Sequence, residues 1–153
     1  MANAYTKIQI HIVFAVKFRR ALIDPSWEEK LHKYITGIVQ QRGHKMLAIN
    51  GMQDHIHIFV GFKPVEDLSK LVMEIKKAST CYINENRWVA GRFAWQGGYG
   101  AFSYAESQTQ TVINYILRQK EHHSRKSFRQ EYIDILDNFK VEYDVKYILQ
   151  NPE

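Results

Sequence analysis

Two histidines, His55 and His57, are the residues of this 153-residue chain best spaced to do chemistry together. They lie in the run Asp54-His-Ile-His-Ile-Phe-Val60, whose apolar alternation and β-branched content read as a strand. A strand repeats every two residues, so both imidazoles point to one face and Ile56 and Ile58 to the other. Imidazoles side by side on a rigid strand can share one divalent metal ion. Asp54, just before them, is placed to orient an imidazole or a water. The plainer alternative is a pair of satisfied histidines on a sheet surface.

A second group lies downstream. At about 100° per residue, Val112, Ile113, Ile116 and Leu117 define the apolar arc of a helix, and Tyr115 falls outside that arc. Gln119 follows at i+4, so the two side chains are neighbours, and His122 joins the same stripe if the helix continues. The helix thus presents Tyr, Gln and His away from its packing face; an ordinary solvent-facing tyrosine is the alternative. A free tyrosine hydroxyl, with a pKa of about 10, is a poor nucleophile. A metal that polarises a phosphate oxygen makes the phosphorus easier to attack. The product would be a phosphotyrosine link to DNA, which conserves the phosphodiester energy, so rejoining needs no ATP.

These groups need a scaffold. Tyr5 to Lys17 alternates as a strand. Asp24-Pro25-Ser26 opens a helix carrying Trp27, Leu31, Tyr34, Ile35, Ile38 and Val39, closed by Gly43. Lys45 to Asn50 is a short strand, and Asn50-Gly51 a turn signal before the histidine strand. Pro64 and Glu66 or Asp67 open a helix whose inner face is Leu68, Leu71, Val72, Ile75, Ser79 and Tyr82. A glycine-rich segment, Trp95 to Gly100, leads to a fourth strand at Ala101 to Tyr104. Ser107 is the expected N-cap of the tyrosine helix, about 107–120. A C-terminal helical tail covers about 128–149, with Tyr143 to Leu149 as a short strand or packed tail. The order β-α-β-β-α-β predicts an α+β, ferredoxin-like (RRM-like) antiparallel sheet with helices on one face, followed by additional C-terminal helices, all in one domain over 1–153.

Composition narrows the class. Apolar residues make up 45% and charged residues 24%, which excludes a disordered chain. The apolar runs Ile12–Val16 and Ile56–Phe62 fall far short of the roughly 20 residues that cross a bilayer. No membrane partner is expected. Cys81 is the only cysteine, so no internal disulfide forms; with no visible signal peptide, the cytoplasm is the expected compartment. The net charge of +5 and 20 aromatic residues (8 Phe, 9 Tyr, 3 Trp) suit an anionic partner such as single-stranded nucleic acid.

Taken together, the chain resembles the single-tyrosine HUH transposases of small bacterial insertion sequences, including the palindrome-associated tyrosine transposase-like proteins. The resemblance is carried by His55-Ile56-His57, by Tyr115-Ile-Leu-Arg-Gln119 and by Trp95-Gln-Gly-Gly-Tyr99. His11-Ile-Val-Phe14 with Lys17 and Arg19-Arg20, and His122-His123 followed by Phe128 and Glu131, add to it. It implies a bacterial enzyme that binds hairpin-bearing single-stranded DNA, nicks it, stays joined to a 5′ phosphate through Tyr115, and rejoins strands. It also implies Mg²⁺ or Mn²⁺ held by His55, His57 and Gln119, and a homodimer in which the tyrosine helix of one subunit can complete the other's site. No nucleotide cofactor is expected.

Other conspicuous residues have two readings each. Lys17, Arg19 and Arg20 either meet a phosphate backbone or form a solvated strand end. Trp95 and Tyr99 either stack on unpaired bases or pack beneath their own loop. Trp27 and Trp88 are expected to pack, and Cys81 to be buried or inert. Two other functions compete with the transposase: a non-catalytic module that holds DNA or RNA hairpins, and a metal-dependent phosphoesterase using water, which would need the histidines but not Tyr115.

Overall fold

The computed structural model describes residues 4–122, 125–144, 146 and 148. Four strands, β1 (Gln9–Ala15), β2 (Lys45–Gly51), β3 (His55–Gly61) and β4 (Gly100–Ser103), form one sheet in the order β2-β3-β1-β4. Every neighbouring pair is antiparallel. Helices α1 (Pro25–Gln41) and α2 (Leu68–Glu85) connect the strands as β1-α1-β2 and β3-α2-β4. Three further helices follow: α3 (Thr109–Leu117), α4 (Gln119–His122) and α5 (Phe128–Asn138). This is the ferredoxin-like α+β arrangement expected from the order of elements.

Local chemistry sets the helix ends. Asp24 accepts the Ser26 backbone N–H at 2.8 Å, and Pro25 occupies the first helical position, where its missing N–H costs nothing. Gly43 ends the run with φ of 92°, a conformation costly for other residues. Ser127 caps α5 by accepting from Gln130 N at 3.2 Å. Ser107, the expected cap of the tyrosine helix, instead lies in a 3₁₀ turn over Glu106–Gln108, and α3 begins after it.

Trp27, Leu31, Ile35 and Val39 of α1 and Leu71, Val72, Ile75 and Ile83 of α2 bury against Ile12, Phe14, Ile56, Ile58 and Val60 of the sheet. Ile83 holds the inward position expected of Tyr82, whose ring instead stacks on Tyr34 at 3.9 Å between the two helices. Trp27 and Trp88 stack at 4.9 Å, as packing residues. Cys81 is exposed rather than buried.

The opposite sheet face is also covered. Val112 and Ile116 of α3 pack on Ala48 and Phe59, while Phe128 and Leu136 of α5 pack on Val13, Ala15 and Phe102. Helices therefore lie on both faces, not one. The polar alternation of β1 and β3 marks a face that meets a second helical layer, so β3 is buried on both sides up to Gly61. Two turn-level expectations also change. Asn50 and Gly51 are still inside β2, and the connection to β3 is Met52–Asp54. No strand forms among the described residues of 143–149; positions 145, 147 and 149 lie outside them.

Candidate active site

β3 pairs with β1 so that Ala15 faces His55 and Val13 faces His57. Both histidines are fully buried on the face covered by α3–α5, which excludes the reading of histidines on an open sheet surface. Asp54 Oδ1 accepts a hydrogen bond from His55 Nδ1 at 2.7 Å, and the His55 ring stacks on Phe128 with centroids 3.8 Å apart. His57 is held differently. Its Nδ1 lies 2.8 Å from Nε2 of His11, and those two rings stack at 5.0 Å. The Nε2 atoms of His55 and His57 are left facing the helical layer.

Three side chains meet them there. The tyrosine helix breaks at Arg118 (φ −98°, ψ 19°), and α4 starts again at Gln119, which is fully buried. Gln119 Oε1 sits 3.0 Å from His55 Nε2, and its amide nitrogen donates to Glu131 Oε2 at 2.9 Å. Glu131, from α5, brings Oε1 to within 3.1 Å of His57 Nε2. The Tyr115 hydroxyl donates to the other carboxylate oxygen of Glu131. The tyrosine ring lies 6.0 Å from His57 and stacks on His122 at 4.8 Å. Tyr115 is thus not a solvent-facing tyrosine, although it does sit off the apolar stripe of α3.

Electrostatics favour neutral resting forms. Burial, the negative charge of Glu131 and its acceptance of the phenolic hydrogen all push Tyr115 well above the ordinary phenol range. Burial, helped by neighbouring His57, holds His11 well below the ordinary histidine range, against an opposing pull from Glu131. His11 Nδ1 and His122 Nε2 are enclosed without a hydrogen-bond partner.

The donor set fits a divalent cation. Ligand atoms of His55, His57 and Glu131 all lie within 4.8 Å of one another. The Gln119 oxygen lies 3.0 Å from His55 Nε2, so two imidazole nitrogens, an amide oxygen and a carboxylate lie together, a set of ligand types that suits a divalent cation.

The remaining candidates lie elsewhere. Lys17–Arg19 form a 3₁₀ turn just past β1, tied to the histidine edge by Val16 N to Asp54 O at 2.8 Å. Phe18 and Arg19 there carry left-handed φ values of 59° and 51°, and Lys17 and Arg20 flank the Phe18 ring. Trp95 does not offer a stacking face. It is buried against Phe14 and Phe93 on the α2 side of the sheet, and its indole N–H donates to Ser79 at 2.9 Å. Tyr99 is half-buried on the same side, with its hydroxyl 2.7 Å from that of Ser69. The loop packs beneath its own aromatics, and neither ring is brought to the histidine–tyrosine cluster.

Sequence reasoning assigned no role to His11 or Glu131. Both carried a signal. His11 lies two residues before Val13, hence on the site face of β1. Glu131 is three residues after Phe128 and four before Ile135, a carboxylate inside the buried stripe of α5.

The sequence profile of the IS200-like transposases matches residues 4–119. The chain belongs to the IS200-like transposase family. The ISDra2 transposase TnpA of Deinococcus radiodurans is 22% identical over 122 residues, covering 75% of this chain and 86% of that protein. Two solved structures share the fold. A transposase candidate from Deinococcus radiodurans R1 has a TM-score of 0.58 and 22% identity, covering 78% of this chain and 96% of that one. A REP-associated tyrosine transposase bound to a REP hairpin has a TM-score of 0.61 and 16% identity, covering 100% of this chain and 96% of that one. The family profile ends at Gln119, so in this IS200-like transposase Glu131 comes from chain beyond it. No helix among the described residues is long and apolar enough to cross a membrane.

Proposed function

We propose that this transposase binds hairpin-bearing single-stranded DNA, cleaves it with Tyr115 as nucleophile, and rejoins strands through a 5′-phosphotyrosine intermediate. The observation that carries this reading is the single carboxylate of Glu131, on which the Tyr115 hydroxyl, His57 and Gln119 converge. His55, His57 and Gln119 are the proposed cation ligands, with Glu131 beside them and Mg²⁺ or Mn²⁺ as the ion. When bound, the cation supplies polarisation of the scissile phosphate.

The side chains do the rest. Asp54 and His11 fix which nitrogen each site histidine offers. His122 supports the tyrosine ring by stacking. Glu131 Oε2 orients the phenol and takes its proton as Tyr115 Oη forms the bond to phosphorus; the 3′ oxygen leaves and takes a proton from solvent. Resealing reverses these moves. Lys17, Arg19 and Arg20, at the histidine edge, are proposed to meet the phosphate backbone of the incoming strand. The REP hairpin held by a protein of the same fold supports a hairpin substrate. Tyr115, whose hydroxyl reaches the Glu131 carboxylate beside His57, is proposed to act at the histidines of its own subunit. A homodimer of this chain would then carry two complete sites. The proposed place of action is the bacterial cytoplasm.

The test is a denaturing gel for a covalent protein–DNA adduct. Labelled top and bottom strands flanking the gene are incubated with Mn²⁺ or chelator, with Tyr115→Phe in parallel. A metal-dependent adduct that disappears in Tyr115→Phe is expected. Cleavage that survives in Tyr115→Phe without an adduct means a hydrolase using water. Tight hairpin binding with no cleavage means a binding module.

A further inference from the structure

Asn50 and Gly51 read in sequence as a turn, yet they lie inside β2, which calls for another account of the asparagine. Asn50 pairs with His57 across the sheet, so its side chain shares the histidines' face. Its amide nitrogen donates to the carbonyls of both Ile116 and Leu117, each at 3.1 Å. These are carbonyls of the last turn of α3, which a helix end leaves in need of donors. Lys120, one residue past Gln119, donates to the Asn50 side-chain oxygen at 3.3 Å and to the Gly51 carbonyl at 3.1 Å. Its ammonium also pairs with Glu28 of α1 at 2.8 Å. The break at Arg118 is therefore clamped on both sides: the end of α3 through Asn50, the start of α4 through Lys120. Between the two clamps sits Gln119, whose side chain points the other way, to His55 and Glu131.

We infer that Asn50 and Lys120 are positioning residues that hold the α3–α4 break and thereby aim Gln119 at the cation site. The inference rests on the proposed role of Gln119 as a cation ligand. An asparagine on a strand can cap a helix it faces without being near it in sequence, and a lysine on the outer side pulls the next turn down onto the same strand. The arrangement explains why a tyrosine-helix glutamine reaches its target from a separate helical turn. Partners that orient a metal ligand from outside typically matter about 10- to 100-fold in affinity.

The test measures Mn²⁺ affinity by calorimetry in the intact chain and in Gln119→Ala, Asn50→Ala, Lys120→Met and the Gln119→Ala/Asn50→Ala pair, with thermal melts of each. A second readout needs no metal: hydrogen exchange of the Gln119 side-chain amide by NMR. Asn50→Ala and Lys120→Met are expected to weaken Mn²⁺ about tenfold while remaining folded. The double variant should bind no more weakly than Gln119→Ala alone, because Asn50 acts through Gln119. Native Mn²⁺ affinity in Asn50→Ala, with Gln119→Ala weakened, overturns the inference. Native affinity in Gln119→Ala overturns the ligand role instead. The clamp is then judged by the amide alone: faster exchange in Asn50→Ala upholds it, and unchanged exchange overturns it. A variant that melts far below the parent is replaced in the comparison by the variant of the opposite clamp.

Discussion

Asp54 and His11 govern one nitrogen each, and together they decide what the two site histidines can offer. His11→Phe keeps a stacked ring against His57 but removes the nitrogen partner. Mn²⁺ affinity is expected to fall about tenfold in that variant, by calorimetry, with little loss of melting temperature. At Lys76 the issue is burial. Its ammonium donates to the carbonyls of Gln96 at 2.8 Å and Gly98 at 2.6 Å, and burial pushes its pKa down to about 8 from 10.5. The unfolded chain then holds that proton more tightly than the folded one. Stability contributed by this group rises as pH climbs from about 8 towards 10.5. NMR titration of the Lys76 side chain checks the midpoint, and melts across this window in Lys76→Met should lose that part of the rise. At this scale the sequence was informative where the period of one element settled a direction, as for His55 and His57. It was uninformative about Trp95, whose stacking and packing roles use the same residue type and differ only in what lies on the ring.

Elements carry a different kind of constraint. Gly51 lies where β2 turns towards β3, and a Cβ there would sit 2.3 Å from the His55 carbonyl oxygen. Gly51→Ala is expected to cost about 1–3 kcal/mol through forced backbone movement, seen as a lower melting temperature. It should also weaken Mn²⁺ binding, since the displaced backbone carries His55. Trp95→Ala separates burial from binding. Loss of that ring is expected to cost about 3–5 kcal/mol in denaturant unfolding, while affinity for single-stranded DNA in the folded protein stays unchanged. Element types and order were legible because hydrophobic period is local: 2 in β3, 3.6 in α1 and α2. The break at Arg118 was not, since Tyr115 and Gln119 keep i+4 spacing in either case. What ends α3 is an asparagine on β2, remote in sequence. The covering of the second sheet face escaped for a related reason: alternation in β1 shows a polar face but not what lies on it, and there Thr109 of α3 bonds to Gln9 while Tyr115 sets its edge against His11.

Over the whole molecule, net charge and the placement of the cationic turn predict how binding responds to salt. With +5 overall and Lys17, Arg19 and Arg20 at the histidine edge, single-strand affinity should fall linearly in log–log form with added salt. Removing Lys17 or Arg20 should lower that slope by about 0.7 per lost phosphate contact. Filter binding at several salt concentrations decides it; an unchanged slope places the strand elsewhere.

The sheet order has a consequence in time as well as in space. β3 and β1 are its two inner strands, each hydrogen-bonded on both sides, and they carry His55, His57 and His11. Tyr115 and Gln119 ride on short helices laid over that sheet. Amide exchange should accordingly be slowest from His55 to Val60 and appreciably faster along α3 and α4. The histidine half of the site would then last as long as the fold itself, while the half that bears Tyr115 and Gln119, the proposed nucleophile and amide ligand, would lift and reseat many times within one global unfolding lifetime.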